Sequence, residues 1–89
     1  MISELAPRYD ARASFYGKAT VGENSLLGEG VWLKSYDTFV ARIVNDKAEV
    51  YGTYSQTTLR HIKEFLKQNG FKADNAKQIM ADYGVNNEN

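Results

Sequence analysis

Arg60, Lys63 and Lys67 are the residues whose type and spacing point most directly to chemistry, and that chemistry is binding. At roughly 100° per residue they share an arc of about 60° on a helix, a cationic stripe bordering an apolar one. Just ahead of it, Tyr54, Ser55, Thr57 and Thr58 place hydroxyls where a helix start leaves backbone N–H groups unpaired. A phosphate or carboxylate would find donors there, with Arg60 one turn further on. The plainer account is capping, which uses the same hydroxyls and needs no ligand. For the stripe the plainer account is a solvated face, with Arg60 and Glu64 at ion-pair spacing and the lysines keeping the surface soluble.

His61 is the sole histidine. General acid–base work needs a partner that tunes or orients the ring, and no such partner can be named. On the helical wheel His61 falls away from the apolar stripe, beside Gln68, so it is expected to be solvent-facing or partly packed. A metal site is disfavoured because the chain has no cysteine and no second histidine to complete a common ligand set. Gly28-Glu29-Gly30 lacks the Lys-Ser/Thr of a phosphate loop, and no serine sits in a nucleophile elbow. The chain is therefore expected not to be an enzyme and to use no cofactor.

With 89 residues, 43% of them hydrophobic and 12% aromatic, one small core is expected, hence a single domain over residues 1–89. Eleven basic and eleven acidic residues cancel, so no global field draws in a polyanion or a membrane. Charge is nonetheless segregated: Arg60, Lys63, Lys67 and Lys72 face only Glu64 locally, while Lys77 is outnumbered by Asp74, Asp82 and Glu88. The absence of cysteine suits an intracellular protein. The first residues lack a basic leader followed by an apolar run, so a soluble, cytoplasmic protein is expected.

These residues must be positioned by a strand half and a helix half. Residues 1–13 contain the only proline, Pro7, and no clear periodicity, and are read as an irregular arm. Residues 14–21 alternate, with Phe15, Gly17, Ala19 and Val21 on one side, as a half-buried strand requires. Glycine and asparagine density marks residues 22–30 as a loop. Residues 31–44 are rich in aromatic and β-branched types and are read as one long bent strand; Phe39, Ala41 and Ile43 are one candidate core face, but both faces carry apolar groups and leave the register open. Asn45-Asp46-Lys47 links it to residues 48–54 as an antiparallel hairpin.

Ser55 or Thr57 caps the next helix, on which Leu59, Ile62, Phe65 and Leu66 form the apolar face and which Gly70 ends. Asp74 or Asn75 opens a second, with Ala76, Ile79, Met80 and Tyr83 as its stripe and Gly84-Val85 as its close. Residues 86–89 are expected to fray. The expected fold is α+β: a three-stranded antiparallel meander followed by two helices (βββαα), packed on one face.

Aromatic and basic residues interleave in Phe15-Tyr16-Gly17-Lys18 and Trp32-Leu33-Lys34-Ser35-Tyr36. Such a sheet would serve either as a stacking platform for single-stranded nucleic acid or as a set of protein-binding anchors. Neutral overall charge tilts the balance toward protein.

Three blocks carry a family resemblance. They are Tyr9-Asp10-Ala11-Arg12-Ala13-Ser14-Phe15-Tyr16-Gly17-Lys18-Ala19; Ser35-Tyr36-Asp37-Thr38 with Val40-Ala41 and Ile43; and Tyr51-Gly52-Thr53-Tyr54-Ser55-Gln56-Thr57-Thr58 with Arg60-His61-Ile62-Lys63-Glu64-Phe65-Leu66. The chain resembles, over residues 9–85, a family of small proteins of unknown function from phages, plasmids and low-GC Gram-positive bacteria. That resemblance implies a stand-alone phage or mobile-element accessory protein and carries over no catalytic role. The leading expectation is a non-enzymatic module that binds a bacterial host protein, such as an anti-defence (CRISPR-inhibitor-like) protein. Its expected site is Tyr54, Ser55, Thr57, Thr58, Arg60, His61, Lys63 and Lys67. The alternatives are a small nucleic-acid-binding accessory protein and a self-associating structural protein, a homodimer.

Overall fold

The computed structural model describes residues 2–10, 15, 17–23, 30–52 and 55–85. Five strands precede two helices: β1 (Ile2–Glu4), β2 (Ala19–Glu23), β3 (Val31–Ser35), β4 (Thr38–Val44), β5 (Lys47–Val50), α1 (Gln56–Gln68) and α2 (Ala76–Tyr83). The strands form one antiparallel sheet in chain order, and this overturns the three-stranded meander while keeping the α+β class.

Two features account for the extra strands. Part of the arm at residues 1–13 is not irregular: Ile2–Glu4 pairs with β2 along Ile2↔Gly22, Ser3↔Val21 and Glu4↔Thr20. Three residues are too few to show a period. The segment 31–44 is not one bent strand either, because Tyr36 adopts φ 57° in a tight turn between β3 and β4. A left-handed tyrosine lies outside the glycine and asparagine vocabulary by which turns are recognised.

The strand expected at 14–21 begins only at Ala19. Gly17 takes φ 73° in a turn that the Lys18 N–H closes onto the Phe15 carbonyl. Gly22 and Glu23, assigned to a loop, complete β2; residues 24–29 of that loop lie outside the described residues. The β4–β5 hairpin is present, with Asn45 and Asp46 both at positive φ as a two-residue turn of the type that matches strand twist, and Lys47 already in β5. β5 ends at Val50, short of the expected residue 54.

Register decides which side chains enter the core. Ala19, Val21, Leu33, Ala41, Ile43, Ala48 and Val50 share the face that meets the helices. Leu33 pairs with Ala41 but Lys34 with Phe39, so Val40 is an extra residue in β4. This bulge buries Val40 beside Ala41 and turns Phe39, a candidate for the core, out to solvent. Ile62, Phe65 and Leu66 of α1 and Ile79 of α2 close the core, joined by Leu5, Phe15 and Ala73.

Both helices start as expected at a side-chain cap. Ser55 accepts from the Thr58 N–H, settling the choice against Thr57, and Asn75 accepts from the Gln78 N–H, settling it against Asp74. α1 ends in a Schellman motif: the Phe71 N–H bonds the Leu66 carbonyl and the Gly70 N–H that of Lys67, with Gly70 at φ 86°. α2 ends differently. Gly84 is extended at φ −62° and ψ 136°, and the chain leaves alongside β5, the Val85 N–H bonding the Val50 carbonyl at 3.0 Å. The end of α2 at Gly84-Val85 thus lies along one edge of the sheet.

Candidate functional site

The first half of α1 lies over a buried polar chain. Ser35, at the end of β3, places Oγ 2.9 Å from Thr58 Oγ1 and 2.8 Å from His61 Nδ1. Ser55 Oγ lies 3.3 Å from the same Thr58 hydroxyl and accepts from the Thr58 N–H at 3.2 Å. Ser35, Thr58 and His61 are all buried, so two of the hydroxyls expected to cradle an anion, those of Ser55 and Thr58, are bonded to each other, to Ser35 and to the backbone. His61 is not solvent-facing. Its ring meets Phe15 edge-on at 4.7 Å and lies 6.1 Å from Tyr36. The wheel misplaced it because two bodies cover α1, the sheet and a strap at residues 5–10, which widens the buried arc beyond the aliphatic stripe.

Glu64 holds the strap. Its carboxylate accepts the backbone N–H groups of Arg8 at 2.8 Å, Tyr9 at 2.9 Å and Asp10 at 3.1 Å, and the Gln68 side-chain amide as well. Gln68 also donates to the Ala6 carbonyl at 2.6 Å, and Leu5 buries its side chain while its N–H bonds the Ala19 carbonyl. Each hydrogen bond to an ionised group is worth about 1.5–3 kcal/mol net, and among the described residues Glu64 is held by such bonds with no ion pair. The ordinary Arg60–Glu64 pair expected along the helix is therefore absent: Glu64 points inward, and Arg60 instead reaches Asp10 of the strap at 3.7 Å.

The expected site residues divide accordingly. Thr58 and His61 are buried, Ser55 is an exposed cap, and Thr57 is half-buried and caps nothing. Arg60 keeps its side chain 43% exposed. Lys63 and Lys67 are half-buried on the same outer flank, and among the described residues neither makes an ion pair. Tyr54 lies outside the described residues.

The fold brings two exposed tyrosines beside α1: Tyr9, 61% exposed on the strap, which sequence reasoning names only within a family block, and Tyr36, 48% exposed at the β3–β4 turn with Lys18 Nζ 5.7 Å from its ring, which it reads as one of the sheet's aromatic anchors. Hydrogen bonding to Glu49 raises the Arg42 pKa above the ordinary value, with electrostatic interaction with Tyr51 and Glu49 adding to the effect. Among the described residues no cluster of three or more His, Asp or Glu side chains is arranged to hold a metal, and no helix is long and apolar enough to cross a membrane.

No curated protein and no solved structure matches the chain. A family model described as "Family of unknown function (DUF8033)" matches residues 3–82. That span takes in the strap, all the later strands and nearly all of α2, and the chain belongs to this family of unknown function.

Proposed function

We propose that the chain is a non-enzymatic binding module that docks on a bacterial host protein through the strap and the first half of α1. Tyr9, Tyr36 and Arg60 are its anchors, and Lys63 and Lys67 form its cationic rim. The observation that carries this reading is the Glu64 clasp. A buried carboxylate spent on three successive N–H groups of an irregular segment fixes a surface loop in one conformation. A loop fixed beforehand loses little entropy when a partner arrives, and tyrosine and arginine are the types that dominate interface energies.

The resemblance to proteins of phages, plasmids and low-GC Gram-positive bacteria supports the narrower proposal. On that reading the chain is a phage or mobile-element accessory protein acting in the host cytoplasm, and its partner is a component of host defence such as a CRISPR effector. Capture from a bacterial lysate tests the surface. The wild type should retain a discrete protein, and Tyr9→Ala with Arg60→Glu should lose at least about nine-tenths of it. Equal recovery by wild type and variant, or capture of nothing by either, contradicts the proposal.

A further inference from the structure

The side of the sheet turned away from the helices is covered by no element of the described chain, and the strand register sets its side chains in rows, two of which carry its rings. One row runs Ile2, Gly22, Trp32, Arg42, Glu49; the next runs Glu4, Thr20, Lys34, Phe39. Across them the apolar groups connect. The Trp32 indole lies over Gly22, where any Cβ would collide with it, and meets Phe39 edge-on at 5.2 Å. Lys34 Nζ stands 4.8 Å from the centre of the Phe39 ring. Phe39 is 53% exposed and Ile2 67%.

The charges on this face select its occupant. A nucleic acid or an anionic membrane requires one sign, whereas here Arg42 is held by Glu49 at 3.0 Å and Glu4 sits two strands from Lys34 in the same row. Such mixed signs beside rings complement a copy of themselves. We propose that this face is covered by a second copy of the chain, sheet on sheet, in a reversible two-fold dimer. A two-fold axis lying across the strands between the rows sets each row on the other row of the second copy. Trp32 then faces the second copy's Lys34, and Arg42 faces its Phe39, because each of these pairs shares a strand. Every ring–cation contact is made twice, as an isologous interface requires. The chain's zero net charge adds no repulsion between copies. From strand spacing and rise the face offers a plan area of roughly 300 Å². That is small for an interface, so only weak, concentration-dependent association is expected, and roughly 10–100 µM is the range in which to look for it.

Sedimentation equilibrium between roughly 5 and 500 µM brackets that range, and the fluorescence of Trp32, the sole tryptophan, reports the face directly. The wild type should approach twice the monomer mass as concentration rises, with Trp32 emission moving to shorter wavelength. Phe39→Lys and, separately, Lys34→Glu should each raise the dissociation constant at least about tenfold with unchanged circular dichroism. Both positions lie outside the core. The proposal is overturned by a wild type that stays monomeric throughout, or by a dimer whose dissociation constant neither variant changes. It is equally overturned if low-salt titration with oligothymidylate quenches Trp32 while the protein stays monomeric, which would assign the face to nucleic acid. Arg60→Glu lies on the opposite side and should leave the dimer intact, so failure here is separate from failure of the host-protein surface.

Discussion

The two sides of the sheet treat polar groups in opposite ways. Beneath the helices, Ser35, Thr58, His61 and Glu64 are buried, and among the described residues no buried side-chain nitrogen or oxygen lacks a partner. On the far side, Lys34, Arg42, Glu4 and Glu49 surround rings that remain partly open to solvent. The covered side thereby specifies one conformation, because any other leaves charges and hydroxyls unpaired at a cost. The open side contributes little to that choice, and its groups, paired with one another, keep surface on which to meet something else. The strap belongs to the covered side by its bonding and to the surface by its side chains, and this combination makes it the better candidate for the primary docking site.

Substitutions break or sharpen that contrast. The largest effect is expected at Glu64: Glu64→Ala orphans three strap N–H groups at once and should cost about 3 kcal/mol in urea or guanidinium unfolding. Ser35→Ala removes the hydroxyl shared by Thr58 and His61 and should cost about 1–2 kcal/mol, a fall in Tm of roughly 5–15 °C for a chain of this size. Phe39→Lys on the open side should shift stability by no more than about 0.5 kcal/mol. A loss at Phe39 as large as that at Ser35 would erase the distinction between the two sides. Arg60→Glu should have a similarly small effect on stability, since its link to Asp10 is long and partly exposed, while weakening partner capture.

What could be read from the sequence was what local chemistry determines. Ser55, Asn75 and Gly70 cap through bonds to residues a few positions away, and the Asn45-Asp46 turn carries its own backbone preference. What could not be read depended on residues far apart in the chain. β1 exists only because β2 pairs with it, and Phe39 faces out only because β4 has one residue more than β3 opposite it. His61 and Glu64 looked like members of a polar helix face because their partners, Ser35 and the strap, are contributed from well upstream. The spacing of the basic stripe was legible, and Tyr36 reads as an anchor of the sheet; its place beside α1, and that of Tyr9, was not legible, since both reach the helix only through the β3–β4 turn and the strap.

The most direct test is amide hydrogen exchange at Arg8, Tyr9 and Asp10, measured by nuclear magnetic resonance in the wild type and in Glu64→Gln. The clasp predicts that all three amides are protected in the wild type. In the variant their protection should fall by at least about tenfold while that of Val40, Ala41 and Ile62 persists. Rapid exchange at these amides in the wild type, or protection unchanged by Glu64→Gln, would contradict a strap held by Glu64 and with it the preorganised docking surface.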